Sequence, residues 1–503
     1  MRTGADYRKA MRDGRRVFVM GEGRIDDVTA HPATKAMIDE YVAWYDRHFD
    51  PAWKDIVMAG DAPVSYTLPR SSDDLVRMGR AYSATTFPTA GNVTHTPAYG
   101  HLISMGVLVA AHEHGHAESV HRAKAYRETI AATGRFLTFC GGAAPLGIRL
   151  REDPAQRAAL RIVRETDSGV ILSGKVGMHT SPAYAEDVYI GALNGAMIDG
   201  HPASFIVPVG GKGVTTLCRR LAVRDPNRFN SPLSSRFDEL DGQLWLDEVF
   251  IPWEHVFLVD ASPEPIARWL LWHHLYGWLS KAEFTLGIAF ALTDAMGLKE
   301  HDPTVEYLVD LIAEVQTVRS CLTAAERDPD FTPEGYCVAN YKHLMPGGIA
   351  IFRAHQRLSE ILRALPGSSL VVAPSDRDLA NPELAAGLEE CFGGAGYTAL
   401  QRSALLQLSW DHVASALDGR ESSFELHASG GMPGWRGRLR RAFDRYNELA
   451  NGVLKSLDIQ MPEIDVSAIK DRPLQPRRVN TAAPNPHPGP PPLAGEGVSL
   501  KRS

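Results

Sequence analysis

The spacing of hydrophobic residues divides the chain into three stretches with different periods. Residues 1 to about 148 carry apolar residues at helical spacing, as in ATKAMIDEYVAWYDRHF (33–49). Residues 160–258 instead contain short β-rich runs, such as GVILSGKV and QLWLDEVFIP, which turn residues separate. From about residue 265 to 460 the helical period returns, in segments long enough to form a bundle. The predicted order is therefore helical, then β, then helical.

These stretches predict an α+β protein with three packed parts and a tail. We expect an N-terminal helical domain over residues 1–148, a central β-domain over 149–264 and a C-terminal helical bundle over 265–465. Residues 466–503 are dense in Pro and Gly and poor in large apolar side chains. Such a segment cannot bury a core, so we expect a disordered tail there.

Composition and charge are those of an ordinary globular chain, and they exclude several classes of protein. Of the 503 residues, 44% are hydrophobic and 22% are charged, with a net charge of -7. A nucleic-acid-binding protein needs a concentrated basic patch, so we expect no nucleic-acid partner. The N-terminus shows no secretory signal, and no apolar run is long enough to cross a membrane. We expect no membrane association.

The cysteines indicate a reducing compartment. The chain has five of them, an odd number, and none forms a CxxC pair: Cys140, Cys218, Cys321, Cys337 and Cys391. Neither a disulfide framework nor a structural zinc site is expected from this pattern. We therefore predict a cytoplasmic protein.

Two motifs suggest chemistry but have simpler interpretations. AAHEHGHAESVH (110–121) is not the HExxH zinc motif, because His114 and Gly115 follow Glu113. A solvated helix end explains this segment better than a zinc pair of His112 and His116, and we expect no metal. GGKGVTT (210–216) lacks the spacing and the GK[ST] ending of a phosphate loop, so we interpret it as a hairpin turn.

NVTHTPAY (92–99) has the features of a helix start. Thr96 is a suitable N-cap and Pro97 suits the first helical position, which predicts a helix over PAYGHLISMGVLVAA. Tyr99 then lies in the first turn, and His95 lies just outside it, near the positive end of the helix dipole. A plain capped helix explains the segment, and so does a site for an anionic oxygen.

Several longer segments carry a family resemblance. RETDSGVILSGKVGMHTS, PLSSRFDELDGQLWLDEVFIPWEHVFL and GRESSFELHASG resemble the 4-hydroxyphenylacetate 3-hydroxylase family. The resemblance runs in order from about residue 4 to 460. It implies an acyl-CoA dehydrogenase-like fold, with a helical domain, a β-barrel-like domain and a four-helix bundle, which matches the order of hydrophobic periods.

The resemblance also implies an activity. Family members are oxygenase components of two-component flavin monooxygenases, to which a separate reductase supplies reduced flavin. The flavin, usually FAD rather than FMN, reacts with O2 to a C4a-hydroperoxide, which hydroxylates a phenol ortho to its hydroxyl. The protein excludes water and holds the substrate ring in line. The expected partners are thus a small aromatic substrate, O2 and a reductase, and the expected assembly is a homodimer or homotetramer.

Site residues follow from the resemblance position by position. Tyr99 matches a Tyr that lines the phenol and flavin site in the family. The residues matched to flavin-contacting segments are Pro145, Leu146, Gly147 and Arg149, then Thr180 and Ser181, and finally Gly419, Arg420, Phe424 and Glu425.

Two positions depart from the family pattern. His95 stands where the family has an Arg, and Cys140 stands where it has a His; both family residues hold the phenolate oxygen. Arg is always cationic, whereas a neutral His accepts a proton. We therefore expect His95 to act as a general base or hydrogen-bond partner, with Tyr99 steering the substrate. Cys140 either widens the substrate pocket or is a buried packing thiol.

These departures leave other functions open. A related flavin oxygenase acting on an aromatic amine or a halophenol, by N-hydroxylation or dehalogenation, is one alternative. A non-catalytic protein of the same fold that only binds a ligand is another. The superfamily also includes 4-hydroxybutyryl-CoA dehydratase, whose iron–sulfur cluster needs cysteine ligands. This chain has no cysteine among residues 1–139, which argues against that enzyme.

Overall fold

A computed structural model describes residues 1–113, 116–223, 227–259 and 262–472 of the chain. His114, Gly115 and residues 473–503 of the predicted tail lie outside the described residues. The N-terminal helices are α1 (Gly4–Ala10), α2 (Pro32–Asp46), α3 (Pro51–Val57), α4 (Ser72–Thr86), α5 (Pro97–Glu113), α6 (Ala117–Thr133) and α7 (Leu146–Arg149). Between them lie five strands: β1 (Arg16–Val19), β2 (Gly23–Ile25), β3 (Met58–Ala59), β4 (Ala62–Pro63) and β5 (Leu137–Cys140).

The central part consists of strands that form two sheets. Its strands are β6 (Leu160–Thr166), β7 (Gly169–Thr180), β8 (Asp187–Ile190), β9 (Met197–Ile198), β10 (His201–Pro208), β11 (Val214–Cys218), β12 (Asp241–Pro252) and β13 (Val256–Leu258). One sheet has the order β2-β1-β11-β12-β7-β6, and the other has the order β13-β10-β8-β5 with β9 paired to β10. Over the described residues the strands form open sheets, so the β-barrel-like domain expected from the resemblance does not close into a barrel.

Strands from the N-terminal stretch complete both central sheets. Strand β1 pairs in parallel with β11, and β5 pairs in parallel with β8. The prediction of an N-terminal helical domain over residues 1–148 therefore missed these short strands, because no local pattern indicated them. The turn at 210–213 is also not the predicted hairpin, because β10 and β11 belong to different sheets. It is a crossover between the sheets.

The C-terminal part is helical, as the periodicity predicted. Its helices are α8 (Glu264–Ala295), α9 (Asp302–Arg327), α10 (Tyr341–Ala364), α11 (Asp376–Leu379), α12 (Ala385–Phe392), α13 (Ala399–Val413), α14 (Ala416–His427), α15 (Gly431–Ala442), α16 (Tyr446–Leu454) and α17 (Ser467–Asp471). Two short strands, β14 (Asp330–Phe331) and β15 (Cys337–Val338), pair between α9 and α10. Helices α8, α9, α10 and α13 pack on one another as a four-helix bundle.

The described residues divide into two compact units, one up to Ala442 and the other from Phe443 to Arg472. The first unit has two hydrophobic cores. One lies inside the two sheets, and the other joins the N-terminal helices to the bundle. In the second unit, Asn447 donates a hydrogen bond to Asp465, and Asn451 donates one to the carbonyl of Ile464.

Helix α5 is the central support of the N-terminal part. It begins at Pro97, as predicted, and nearly all of its residues are buried, as expected for a helix that is apolar all round. Two glycines allow this close packing. A Cβ on Gly100 would lie 2.2 Å from the carbonyl oxygen of Leu137, and one on Gly106 would lie 2.6 Å from Cα of Ile266. The backbones of β5 and α8 thus contact α5 directly.

We expect Gly100→Ala to destabilise the protein by about 1–3 kcal/mol, because its methyl group would collide with backbone rather than with a mobile side chain. Urea unfolding measures this difference. Gly287→Ala is the matched control, because Gly287 is also helical and its added Cβ would meet no atom within 4 Å. The control should leave stability unchanged or raise it by up to about 1 kcal/mol. Equal effects of the two substitutions would contradict the packing described for α5.

Candidate active site

His95 lies in a buried position just before α5 and is held by a carboxylate. Its Nδ1 is 3.1 Å from Oε2 of Glu239, and its backbone N–H donates to Oε1 of the same carboxylate at 3.0 Å. Glu239 lies in the segment between β11 and β12 and is also buried. Its carboxylate occupies the Nδ1 side of the imidazole ring, so Nε2 is the nitrogen that can serve a ligand.

A network of hydroxyl groups completes the surroundings of Glu239. The hydroxyl of Tyr41, from α2, lies 3.0 Å from Oε1 of Glu239 and 2.8 Å from Oγ of Ser181. Ser181 donates to the same carboxylate oxygen at 3.1 Å. Burial raises the pKa of Glu239, but His95, Arg420 and these hydrogen bonds outweigh it and leave the pKa below its usual value. Glu239 is therefore an ionised carboxylate in the protein interior.

Ser181 adopts a strained backbone conformation at the end of β7. Its φ of 62° lies in the left-handed region, which is uncommon for a residue other than glycine. The strain is maintained by the bond to Glu239 and by the hydrogen bond from its own N–H to the carbonyl of Leu240. Such strain often accompanies functional sites, where the surrounding structure fixes an unfavourable backbone.

Aromatic rings surround His95. The ring of Tyr99 lies edge-on at 4.6 Å, and that of Phe424 from α14 at 5.8 Å. On the α8 side, His274 stacks on Tyr99 at 5.3 Å, and His273 lies 5.4 Å from the same ring. Burial lowers the pKa of His273 to about 3, so this ring is neutral at pH 7. His95 is thus buried among flat rings, with the carboxylate of Glu239 on its Nδ1 side.

Helix α14 is attached to the β-sheet by a buried ion pair. Arg420 donates two hydrogen bonds to Asp241 at 2.7 Å, in the bidentate geometry that favours Arg, and Thr180 donates to the same carboxylate at 2.8 Å. Arg219 adds a third cationic contact at 3.1 Å. Burial raises the pKa of Asp241, but the two guanidinium groups dominate and hold it well below its usual range. This pairing fixes the end of β7 against the bundle.

A second ionic cluster lies one helical turn further along α14. Glu425 contacts Lys281 at 2.9 Å and His355 at 2.8 Å, and all three side chains are largely buried. Burial raises the pKa of Glu425, but His355 and Lys281 lower it to about 2. Burial raises the pKa of Glu421 to about 7, despite its contact with Arg420. Glu425 is therefore a structural ion-pair residue that anchors α14 to α8 and α10.

The structure separates the other predicted residues from this group. Cys140 belongs to the core between the sheets, where its Sγ donates to the carbonyl of Gly177 at 3.4 Å, whereas Tyr99 belongs to the other core. Burial raises the pKa of the Cys140 thiol to about 12, so it stays protonated. This placement favours the packing role for Cys140 over the pocket-widening one.

The segments expected to contact flavin expose apolar surface and two glycines with open space beside them. Leu146 on α7 is 64% exposed, although it is a large apolar residue. A Cβ on Gly147 or Gly419 would meet no atom within 4 Å. Thr180 and Arg420 supply hydroxyl and guanidinium groups at the junction of sheet and bundle. Exposed apolar surface, open space beside two glycines and nearby polar groups together fit a flavin.

Several residues of this site were not predicted from the sequence. Glu239 and Asp241 lie in SRFDELDG, which carried the family resemblance but had no role assigned. Tyr41 and the pair His273 and His274 looked like ordinary helical residues. The sequence signal for Glu239 was a carboxylate next to an apolar strand. A buried carboxylate needs a hydrogen-bond or ion-pair partner, and the sequence does not show which residue that is.

The candidate zinc pair has separate surroundings. His112 lies 4.0 Å from Glu334, whereas the ring of His116 packs on that of His201 at 4.7 Å. The described residues contain no group of three or more His, Cys, Asp or Glu side chains arranged to hold a metal ion. Within the same described ranges, none of the helices has the length and apolar character needed to cross a membrane.

We expect Glu425→Gln to lower the free energy of unfolding at pH 7 on the order of 3 kcal/mol, since the pKa shift from 4.5 to about 2 corresponds to that energy. The folded-state pKa is the lower one, so this stabilisation is present above pH 4.5 and is lost as the pH falls toward 2. Urea unfolding at pH 7, 5 and 3 should show the difference between variant and wild type shrinking.

Glu118→Gln is the control for this series, because its ion pair with Arg122 is 82% exposed on the carboxylate side. Exposed pairs of this kind contribute about 0–1 kcal/mol, so the control should resemble wild type at every pH. A difference for Glu425→Gln that stays constant from pH 7 to 3 would show that its charge does not stabilise the fold.

Comparison with known proteins places the chain in a family. Residues 3–258 match the model described as 4-hydroxyphenylacetate 3-hydroxylase N terminal, and residues 267–455 match the C-terminal model of the same family. The oxygenase component of 4-hydroxyphenylacetate 3-monooxygenase from Thermus thermophilus is 27% identical over 445 residues, covering 84% of this chain and 91% of the relative. A 4-nitrophenol monooxygenase oxygenase component from Rhodococcus opacus is 28% identical over 452 residues, covering 84% and 85%.

Solved structures share the fold. A crystal structure of the oxygenase component of 4-hydroxyphenylacetate 3-monooxygenase complexed with FAD superposes with a TM-score of 0.82 at 24% identity, covering 91% of this chain and 99% of the other. An archaeal 4-hydroxybutyryl-CoA dehydratase from N. maritimus superposes with a TM-score of 0.78 at 16% identity, covering 92% and 96%. At these identities the likeness establishes the architecture alone, and it confirms the predicted order of helices, sheets and bundle. The chain belongs to the 4-hydroxyphenylacetate 3-hydroxylase family, whose relatives named here are oxygenase components of aromatic monooxygenases.

Proposed function

We propose that this protein is a flavin-dependent aromatic monooxygenase that hydroxylates a phenol ortho to its hydroxyl group, with His95 as the proton acceptor. Family membership supports the reaction class. The observation that carries the role of His95 is its contact with the buried carboxylate of Glu239 at 3.1 Å, among aromatic rings. This pair provides a base among buried aromatic rings.

The pair of His95 and Glu239 accounts for proton transfer. Glu239 accepts a hydrogen bond from Nδ1–H of His95, which leaves the lone pair on Nε2 to take the proton of a phenol hydroxyl. The imidazolium formed in this way is stabilised by the Glu239 charge in a region of low dielectric. The substrate keeps the electron pair of its O–H bond as a phenolate, and the ring carbon ortho to the oxygen becomes more nucleophilic.

The surrounding residues orient the substrate and exclude water. Tyr99 and Phe424 provide flat apolar faces on two sides of His95, suited to an aromatic ring. Tyr99 is fixed in turn by its stacking on His274. Burial raises the pKa of Tyr99, so its hydroxyl stays protonated. Tyr99 therefore acts as a steering residue and a hydrogen-bond donor.

FAD is the cofactor, and when bound in its reduced form it supplies the O2 activation that delivers an electrophilic oxygen atom. We assign its binding to the junction of β7 and α14. Thr180, Ser181 and Arg420, which Asp241 and Glu239 fix in place, would lie along its edge there, and the segment 145–149 would cover an apolar face. Gly419 leaves space for close approach. Glu425 acts indirectly, by keeping α14 in place.

The substrate class is a small phenol. Relatives at similar identity are named for different phenols: 2,4,6-trichlorophenol for a 26% identical enzyme of Cupriavidus pinatubonensis, and 4-nitrophenol and 4-hydroxyphenylacetate for those above. This chain has His95 where the family pattern has an Arg, so the permanent positive charge is absent at that position. A related oxygenase acting on an aromatic amine or a halophenol therefore stays a second candidate.

The proposal extends to partners and assembly. The oxygenase components named above imply a separate flavin reductase as the source of reduced flavin. We propose a homodimer or homotetramer on the strength of the family resemblance. The five cysteines are all free thiols in the structure, which is compatible with the cytoplasmic location expected from the sequence.

The reaction is tested by mixing the protein anaerobically with reduced FAD and a phenol, then adding 18O2. We expect an ortho-hydroxylated product with one 18O atom, detected by mass spectrometry. The panel should hold 4-hydroxyphenylacetate, 4-nitrophenol, 2,4,6-trichlorophenol and the corresponding anilines. Hydrogen peroxide as the sole oxygen product with every compound would contradict a monooxygenase. Oxygen on the nitrogen of an aniline would favour the second candidate.

The role of His95 is tested with two variants. Removing a general base costs about 100-fold or more in rate, so His95→Gln should lower kcat/KM by at least that factor. His95→Arg should be similarly slow, because a guanidinium cannot accept a proton. Both are measured as kcat/KM between pH 6 and 9 with the best phenol of the panel.

The results of these two variants distinguish a proton acceptor at position 95 from a residue that acts only through a positive charge. Full activity of His95→Arg would show that a fixed cation suffices and that proton transfer to this residue is unnecessary. His101→Gln is the matched control, because His101 is also buried on this segment but stacks on Tyr66, outside the site. It should retain wild-type kcat/KM.

A further inference from the structure

His179 is a buried histidine for which the mechanism above has no use. It lies in β7, directly before Thr180 and Ser181, and its side chain is almost fully enclosed. Neither ring nitrogen has a hydrogen-bond partner among the described residues. An unsatisfied buried polar atom lowers the free energy of unfolding by about 1–3 kcal/mol. Two such atoms on one ring are therefore unusual for a residue whose role is only structural.

The sheet register places His179 on the face of the sheet that packs against the core containing Tyr99. His179 pairs with Gly242 of β12, and Gly242 pairs with Cys218 of β11, so their side-chain positions share one face of the sheet. Cys218 belongs to the core that contains Tyr99 and the N-terminal helices. Thr180 faces the opposite way and bonds Asp241 beside Arg420. His179 therefore points away from the groups assigned to the flavin.

The charge state of His179 suits a neutral ligand. Burial is the main cause that lowers its pKa to about 4, with Asp241 raising the value and His95 lowering it. At pH 7 the ring is neutral and carries one N–H donor and one acceptor nitrogen. A hydroxyl group is the simplest partner that can both donate and accept.

We propose that His179 is a second ligand-contacting histidine of this site, and that it hydrogen bonds the hydroxyl of an aromatic substrate whose ring lies beside His95. This inference rests on the proposed function for the identity of the substrate as a phenol. His179 fixes the position of the phenol oxygen, and His95 takes its proton. The hydrogen bond to His179 would then explain why the site prefers a phenol to the same ring without a hydroxyl donor.

The experiment compares binding of 4-methylphenol and of its methyl ether, 4-methylanisole, by calorimetry without flavin. We expect wild type to bind the phenol about 10-fold more tightly than the ether, which lacks the donor. His179→Leu should weaken phenol binding about 10-fold and remove this preference. The unliganded variant should be as stable as wild type or more stable in urea, because it loses two unsatisfied polar atoms.

His48→Leu is the matched control. His48 is equally buried, but its Nδ1 has a partner, the carbonyl of Tyr45 at 3.1 Å. Its loss should lower stability and leave phenol binding unchanged. Affinity for FAD, measured by quenching of flavin fluorescence, should be the same in His179→Leu and wild type.

Each result bears on the proposal. Unchanged phenol affinity with a large loss of stability would mean that buried water satisfies His179 and that the residue is structural. Weakened FAD binding with unchanged phenol binding would assign His179 to the cofactor and overturn the proposal. Equal wild-type affinity for phenol and ether would do the same. Because these are binding measurements, a failure of hydroxylation in the 18O2 assay would refute the proposed reaction without touching them.

Discussion

The ionised carboxylate of Glu239, enclosed in the protein interior, is the constraint on which the site depends. It receives hydrogen bonds from the segment before α5, from α2 and from the end of β7. A buried charge is tolerable only when its lone pairs are satisfied, so these three segments must meet at one point. Their meeting fixes the ring of His95 and the strained backbone of Ser181. The geometry of the candidate site therefore follows from a requirement of folding.

A second buried ion pair holds the helical bundle against the sheet. Arg420 and Asp241 join α14 to the end of β12, and Thr180 of β7 bonds the same carboxylate. Replacing such a pair with apolar residues often costs little stability, so its value lies in specifying one arrangement. Here the arrangement sets the distance between sheet and bundle. Phe424 reaches His95 only because α14 is fixed in this way.

The two departures from the family pattern have different physical meanings. At position 95, replacing a permanent cation with His next to Glu239 changes an oxyanion clamp into a potential base. At position 140, the Cys side chain lies in the core between the sheets, where it packs and donates to the carbonyl of Gly177. In the proposal above, His179 of β7 supplies ring nitrogens that need a partner. The polar side chains of this site therefore come from different positions of the chain than in the family pattern.

The sequence by itself determined the helical, β, helical order, the start of α5 at Pro97 and the family, because local periodicity, capping and long motifs are encoded in neighbouring residues. It also singled out His95, Tyr99, Thr180, Ser181, Arg420 and Phe424. It could not assign β1 and β5 to the central sheets, separate Cys140 from His95, or connect Glu239 to His95 across 144 positions. Those relations depend on strand pairing and on the burial of charge, which exist only once distant segments pack together. Tertiary structure alone decided which of the candidate residues form one site.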